Sequence, residues 1–237
     1  MGAGMIGTGK NRQFSYPYPY PHFTRTRTHA GYPNLCSCLY AVSTVSRFTS
    51  NPGLPHWEAV RRIYRYLIGT KDLQLTYGWT RKLLQGYMDA DGSMAEDRKA
   101  VSGYAFLIDG GAVSWASKKQ EIVSLSTTES EYVAAMHATK EALWLCSFIG
   151  EVLVSLDEPI TLFSDNQSAI ALAKDHQYHA CTKHIDICFH FICWVVDDSK
   201  IRLVFCPTND MVADTFTKAL PSPKVKHFAA KLGLCTD

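Results

Sequence analysis

The spacing of hydrophobic and polar positions changes character along this chain of 237 residues. Residues 35–50 and 56–68 follow helical spacing and predict two short helices, broken by the Asn51-Pro52-Gly53 turn signal. In the second, Trp57, Val60, Ile63, Tyr64 and Leu67 fall on one face, which predicts packing against a neighbour. From Leu73 the pattern shortens to strand-like runs near 73–77, 84–89, 102–108 and 112–117, and a long helix follows near 127–150. A strand at 160–164, helices at 166–174 and 183–197, a strand at 201–206 and a helix at 210–219 complete the reading. Consecutive strands followed by alternating helices and strands predict an α/β fold with a mixed sheet covered by helices.

Four carboxylates stand at the edges of different predicted elements: Asp89 in LLQGYMDAD, Glu129 in STTESEYVAAM, Asp165 in ITLFSDNQSAIAL and Asp214 in NDMVADTFTK. A single acid at such an edge is an ordinary turn or cap residue, but four suggest convergence once the segments pack. Charges a few Å apart repel by about 4 kcal/mol per pair at an effective dielectric near 20, so such a cluster takes up protons or cations. Two Mg²⁺ ions, with Mn²⁺ as a substitute, would then polarise a phosphate, activate water and stabilise the leaving oxygen of a phosphodiester displacement.

Spacing treats the four unequally. Asp89 and Asp91 share one side of their strand, so alternation leaves both open. At about 100° per residue, Glu129 shares a helix face with Tyr132, Val133, Met136 and Leu143, whereas Glu131 points nearly opposite; Glu129 is therefore expected to face the sheet. Asp165 precedes a helix start and also suits an N-cap. Asp214 falls inside a predicted helix, where Asp is an indifferent helix former and Asn209 or Asp210 caps better.

Composition narrows the setting. A chain with 46% hydrophobic residues buries one good-sized core, and it contains no apolar run long enough to span a membrane and no secretory signal pattern, so an intracellular protein is expected. Net charge is +2, but Lys10, Arg12, Arg25 and Arg27 lie in the acid-free first 30 residues, leaving 20 basic against 22 acidic residues in the rest. Nucleic-acid binding would then depend on local patches and bound metal. The eight cysteines are scattered with no CxxC pair, which fits reduced thiols, although His176, His179, Cys181, His184, Cys188, His190 and Cys193 crowd one stretch in a way that raises zinc as an alternative. Near the N-terminus, GAGMIG and GMIGTGK imitate phosphate-binding loops, but no strand precedes them and Asn11 replaces the Ser or Thr that would bind Mg²⁺.

The order Asp, Glu, Asp, Asp resembles ribonuclease H. The strings VSRFTSNPGLPHWEAVRRIYRYLIGTKDLQLTYG, GYMDAD, SGYAFLIDGGAVSWASKKQ, LSTTESEYVAA, DNQSAIALAK, TKHIDI and MVADTFTKALP resemble the ribonuclease H domain, with the end of the reverse transcriptase connection, of copia-type LTR retrotransposon Pol polyproteins. They cover about Leu39 to Leu234. The resemblance implies a ribonuclease H-like mixed five-stranded sheet with a short helical N-terminal appendage. Residues 1–34, with the extended YPYPYPH stretch and no periodic apolar face, are expected as a disordered or non-native segment, and the resemblance implies 35–80 as a remnant of the polymerase connection, 81–220 as the ribonuclease H-like domain and 221–237 as a C-terminal tail. It selects Asp89 over Asp91 and implies Asp89, Glu129, Asp165 and Asp214 as catalytic, metal-ligating residues that cleave the RNA strand of RNA/DNA hybrids during reverse transcription. Lys118, Lys119, Lys183 and His184, near element ends, are expected to hold substrate phosphates.

Further implications concern the setting. The partners are an RNA/DNA hybrid and the element-encoded reverse transcriptase, and the location is the cytoplasm, in a virus-like particle, or the nucleus. The family pattern commonly has arginine at Cys146, Cys181, Cys188 and Cys193, which implies lost basic surface. The histidine that many ribonucleases H carry shortly before the last aspartate is absent from Phe205 to Asp210. An integrase-like site would need a late glutamate, and none follows Glu158. The competing reading is an inactive retroelement remnant that binds nucleic acid or a partner.

Overall fold

In the computed structural model, which describes residues 35–78, 84–92, 99–152, 158–174 and 186–236, the first periodic runs become α1 (Leu35–Ser46) and α2 (Leu54–Gly69). Residues 1–34 lie outside the described part. Turn hydrogen bonds from Arg47, Phe48 and Thr49 back to residues 44–46 end α1 earlier than the pattern predicts. The expected packing face of α2 is only half realised. Val60, Ile63 and Leu67 are half-buried, whereas Trp57 and Tyr64 are more than half exposed and no residue of α2 is fully buried. Among the described residues, α1 is the helix that packs most against α2, and one neighbour covers only part of a wide apolar stripe.

The strand-like runs form β2 (Gln85–Asp91), β3 (Val101–Ile108) and β4 (Gly111–Lys119), then β5 (Ile160–Ser164) and β6 (Ile201–Phe205), in one sheet of order β4-β3-β2-β5-β6. Strands β2, β3 and β4 pair antiparallel, whereas β5 runs parallel to both β2 and β6. The expected mixed five-stranded sheet covered by helices is therefore present. Asp109 and Gly110, with φ of 48° and 81°, make the two-residue β3–β4 turn. Both central positions of such a turn require positive φ, which Asp-Gly supplies at low cost.

Side-chain alternation sends the sheet's residues into two cores. On one face Met88, Phe106 and Leu162 pack with Tyr132 of α3 (Thr127–Val152), Ile170 of α4 (Gln167–Lys174) and Ile192 of α5 (Asp186–Asp197). On the other, Ala105 and Leu107 meet Phe216 of α6 (Asp214–Thr217) and Phe228 of α7 (Ser222–Lys231). The helix predicted over 210–219 contracts to the four residues of α6. Three-residue turn bonds, Asp210 N–H to the Pro207 carbonyl, Met211 N–H to Thr208 and Asp214 N–H to Met211, take the place of its first turns.

Residues 221–237, expected as a tail, contain α7 and β7 (Leu234–Cys235), which pairs antiparallel with β1 (Gln74–Leu75). Phe228 and Leu232 are fully buried there. Lys224, Lys226, His227 and Lys231 alternate with these apolar positions, and that mixed pattern reads as a solvated tail. No described helix is long and apolar enough to cross a membrane.

Candidate metal centre

The parallel pairing of β2 with β5 sets the geometry of the site. Tyr87 stands opposite Phe163 in the ladder, so Asp89 and Asp165, each two residues further on, come level at the carboxyl ends of adjacent strands. Ligands of open α/β sheets bind at such strand ends. Glu131, in the first turns of α3, supplies the third acid: ligand oxygens of Asp89, Glu131 and Asp165 lie within 4.8 Å of one another. Asp214 opens α6 on the other face, fully buried, and its charge acts on Asp89. Asp91, the alternative at the same strand end, is not part of this group.

The glutamate expected from helix geometry is corrected. Glu129 does not join the cluster; its Oε2 accepts a 2.6 Å hydrogen bond from the Leu125 backbone N–H, and its own N–H donates to Ser126 Oγ at 3.2 Å. Glu129 thus closes the start of α3 in the manner of a capping box. The face argument failed because residues 129–135 are all buried: sheet and loops enclose this end of the helix on every side. The signal that separates the two glutamates was present in Ser126-Thr127-Thr128-Glu129, a Ser-x-x-Glu cap pattern ahead of an apolar run.

Asp165 is likewise freed from capping, since Asn166 Oδ1 accepts from the Ala169 N–H at 3.0 Å and caps α4. Thr208 Oγ1 donates to Asp165 Oδ2 at 2.9 Å. Thr217 Oγ1 donates to Asp89 Oδ2. Gln120 fixes the start of α3 against the sheet: its Nε2 donates to Ser102 Oγ and to the Ser130 carbonyl, and its Oε1 accepts from Ser124 Oγ.

The electrostatics match a cation site. Burial first, then the charges of Asp89 and Asp165, push the Glu131 carboxyl from 4.5 up to about 9, while the Ala90 amide opposes this. Burial also lifts Asp89 from 3.8 to about 6 against the pull of Lys218. Glu131 Oε2 is buried with no hydrogen-bond partner, and an unmet buried acceptor costs about 1–3 kcal/mol, more when charged. An all-oxygen donor set with an unsatisfied carboxylate oxygen fits a hard divalent cation. Lys218 Nζ lies 3.0 Å from Asp214 Oδ1 and 3.5 Å from Asp89 Oδ2, and Lys224 Nζ lies 3.2 Å from Asp214 Oδ2. Neither lysine was singled out by the sequence reading, although Lys218 lies one helical turn beyond Asp214.

The expected phosphate contacts divide. Lys118 and Lys119 end β4, on the sheet edge; Lys118 pairs with Ser102 of β3, which in turn pairs with Ala90, about 10 Å away at ordinary strand spacing. Lys118 is largely exposed and ion-paired to Glu121 at 3.2 Å. Lys183 and His184 lie outside the described residues, as do His176, His179 and Cys181. Cys193, expected as former basic surface, is instead buried between α3 and α4: its Sγ donates to the Ala173 carbonyl and meets the Tyr132 hydroxyl. Among the described residues, Asp89, Glu131 and Asp165 are the one group that brings three metal-ligating side chains together.

No family model matches the chain. It is 46% identical over 198 residues, 82% of its length, to the retrovirus-related Pol polyprotein from transposon TNT 1-94 of Nicotiana tabacum. It is 35% identical over 198 residues to the retrovirus-related Pol polyprotein from transposon RE2 of Arabidopsis thaliana. It is also 49% identical over 108 residues to the secreted RxLR effector protein 161 of Plasmopara viticola, covering 44% of this chain and 75% of that protein. A crystal structure of LC11-RNase H1 in complex with an RNA/DNA hybrid is similar over 56% of this chain and 93% of that one, at 16% identity and a TM-score of 0.43. The chain spans only 15% and 14% of the lengths of the two polyproteins. Over 82% of its length the chain is thus homologous to a segment of the retrovirus-related Pol polyproteins of copia-type transposons.

Proposed function

We propose that this chain is a ribonuclease H that cleaves the RNA strand of RNA/DNA hybrids in a metal-dependent reaction during reverse transcription. The observation that carries the reading is the meeting of buried Asp89 and Glu131 with half-buried Asp165, brought together from β2, α3 and the end of β5, with Glu131 Oε2 unsatisfied. Membership in the Pol polyproteins supports it, because an element copied through RNA has to remove that RNA.

In this reading Asp89, Glu131 and Asp165 hold one divalent cation, and Asp89 with Asp214 stands beside it for a second, Mg²⁺ or Mn²⁺. Bound there, divalent ions supply polarisation of a phosphate oxygen and an activated water. The protein's part is to set the acids on the ends of a rigid sheet. Thr217 and Thr208 orient Asp89 and Asp165 through their hydroxyls, and hydrogen-bonded neighbours of this kind fix ligand geometry. Lys118, Lys119, Lys183 and His184 are proposed to contact the phosphate backbone, positioning the duplex without reading its sequence.

The test is cleavage of an end-labelled RNA/DNA hybrid in Mg²⁺ or Mn²⁺, with single-stranded RNA and duplex DNA as controls and Asp165→Asn beside the wild type. Hybrid-only, metal-dependent cutting that Asp165→Asn abolishes is the expected result. A folded protein that binds hybrid and does not cut it overturns the reading.

A further inference from the structure

Both oxygens of the Asp214 carboxylate face ammonium groups, Lys218 at Oδ1 and Lys224 at Oδ2. Lys218 also reaches Asp89 Oδ2, so one side-chain cation bridges two nearly fully buried acids, and Asp89 belongs at the same time to the three-acid group. The ammonium of Lys218 therefore stands where an ion shared by Asp89 and Asp214 would have to sit. Its position is built into the backbone, one turn after Asp214 in the i, i+4 relation that brings side chains together. It is not locked there: the Lys218 side chain is one-third exposed and borders an apolar groove of about 410 Å³ between α1, α2 and the α6–α7 segment. A flexible four-carbon stem lets the ammonium leave without moving the helix.

We propose that Lys218 is a resident counter-cation of this site. It holds Asp89 and Asp214 together when a single divalent ion occupies Asp89, Glu131 and Asp165, and a second ion enters between Asp89 and Asp214 only by displacing it. The proposal rests on the metal-dependent reading above and deepens it by making the two ion positions unequal. The tighter position has three carboxylates, of which Asp89 alone is within ion-pair distance of Lys218. The weaker one competes with a tethered positive charge, which opposes cation binding at short range.

Mn²⁺ binding, followed by the paramagnetic resonance of the free ion, tests this in the wild type, Lys218→Met and Lys224→Met. In the wild type a tight and a weak class are expected. Lys218→Met should tighten the weak class by about tenfold and leave the tight class within about threefold, because the cation it removes lies between Asp89 and Asp214. Lys224→Met, which removes a cation that touches Asp214 alone, should do less.

A weak class that is unchanged or weakened in folded Lys218→Met overturns the proposal. Should that variant not fold, amine acetylation of the wild type decides: Lys218 labelling should stay low in EDTA and rise at saturating Mg²⁺, and a flat profile overturns the proposal. A wild type that binds no Mn²⁺ overturns the metal reading itself, and this inference with it.

Discussion

Gly103 stands directly opposite Asp89 in the β2–β3 ladder, and its missing side chain is the space into which α6 packs. A Cβ at position 103 would meet Thr217 Cγ2 at 2.7 Å and Phe216 Cβ at 2.8 Å. The closeness of α6 to the sheet brings the Thr217 hydroxyl onto Asp89 and sets Asp214 beside it.

Gly103→Ala should therefore lift α6 from the sheet. Overpacking of this kind costs about 1–3 kcal/mol, so thermal unfolding should move to lower temperature, and hybrid cleavage should fall further than stability does. Calorimetry and the cleavage assay on one preparation check both; a variant that loses stability and cuts at the wild-type rate would show that cleavage does not depend on the packing of α6.

The two neighbouring glutamates should behave in opposite ways. Glu131→Gln should lower cleavage by more than about a hundredfold, beyond the effect expected of a residue that merely supports a metal ligand. Glu129→Ala should keep cleavage and cost about 0.5–2 kcal/mol of stability, the ordinary loss of a cap. Steady-state rates and melting curves of the pair measure this, and the reverse ranking would restore Glu129 to the site.

This pair also shows where the sequence was legible and where it was not. Strand runs and their order follow from local pattern, and two of the four expected acids, Asp89 and Asp165, meet with Glu131 in one group, while Asp214 lies outside it and acts on Asp89 by charge. Helical periodicity failed at α3 because it assumes one buried face, whereas residues 129–135 are enclosed all round. The C-terminal segment was illegible for a different reason: Phe228 and Leu232 share a core with Leu75, Ala105, Leu107 and Ala112, all more than a hundred positions earlier in the sequence.

The pH dependence of stability without divalent ions has a definite sign. Glu131 and Asp89 both have folded-state values above their ordinary ones, about 9 against 4.5 and about 6 against 3.8. Between those limits the folded chain binds more protons than the unfolded chain, so stability falls as pH rises. In EDTA the melting temperature should decline from about pH 5 to about pH 9, less steeply in saturating Mg²⁺ and less steeply in Glu131→Gln. Melting curves across that range check it; identical slopes in EDTA and Mg²⁺ would detach the effect from the acids.

Phe228→Ala should destabilise the protein by about 3–5 kcal/mol, the usual cost of emptying an aromatic position in a core, since Phe228 is fully buried against the sheet. Urea unfolding measures it. A loss below about 1 kcal/mol would mean that α7 is an appendage whose packing the fold does not need.

The level alignment of Asp89 with Asp165 also governs when the site comes into being. The two acids are 76 positions apart, joined by a hairpin and α3, so their adjacency is a non-local contact that closes after the local ones. Such parallel pairings form slowly because the loop entropy is lost before the contact repays it. A nascent chain ending before β5 therefore lacks Asp165 and the strand that sets it level with Asp89, so the three-acid group is completed only when β5 joins the sheet.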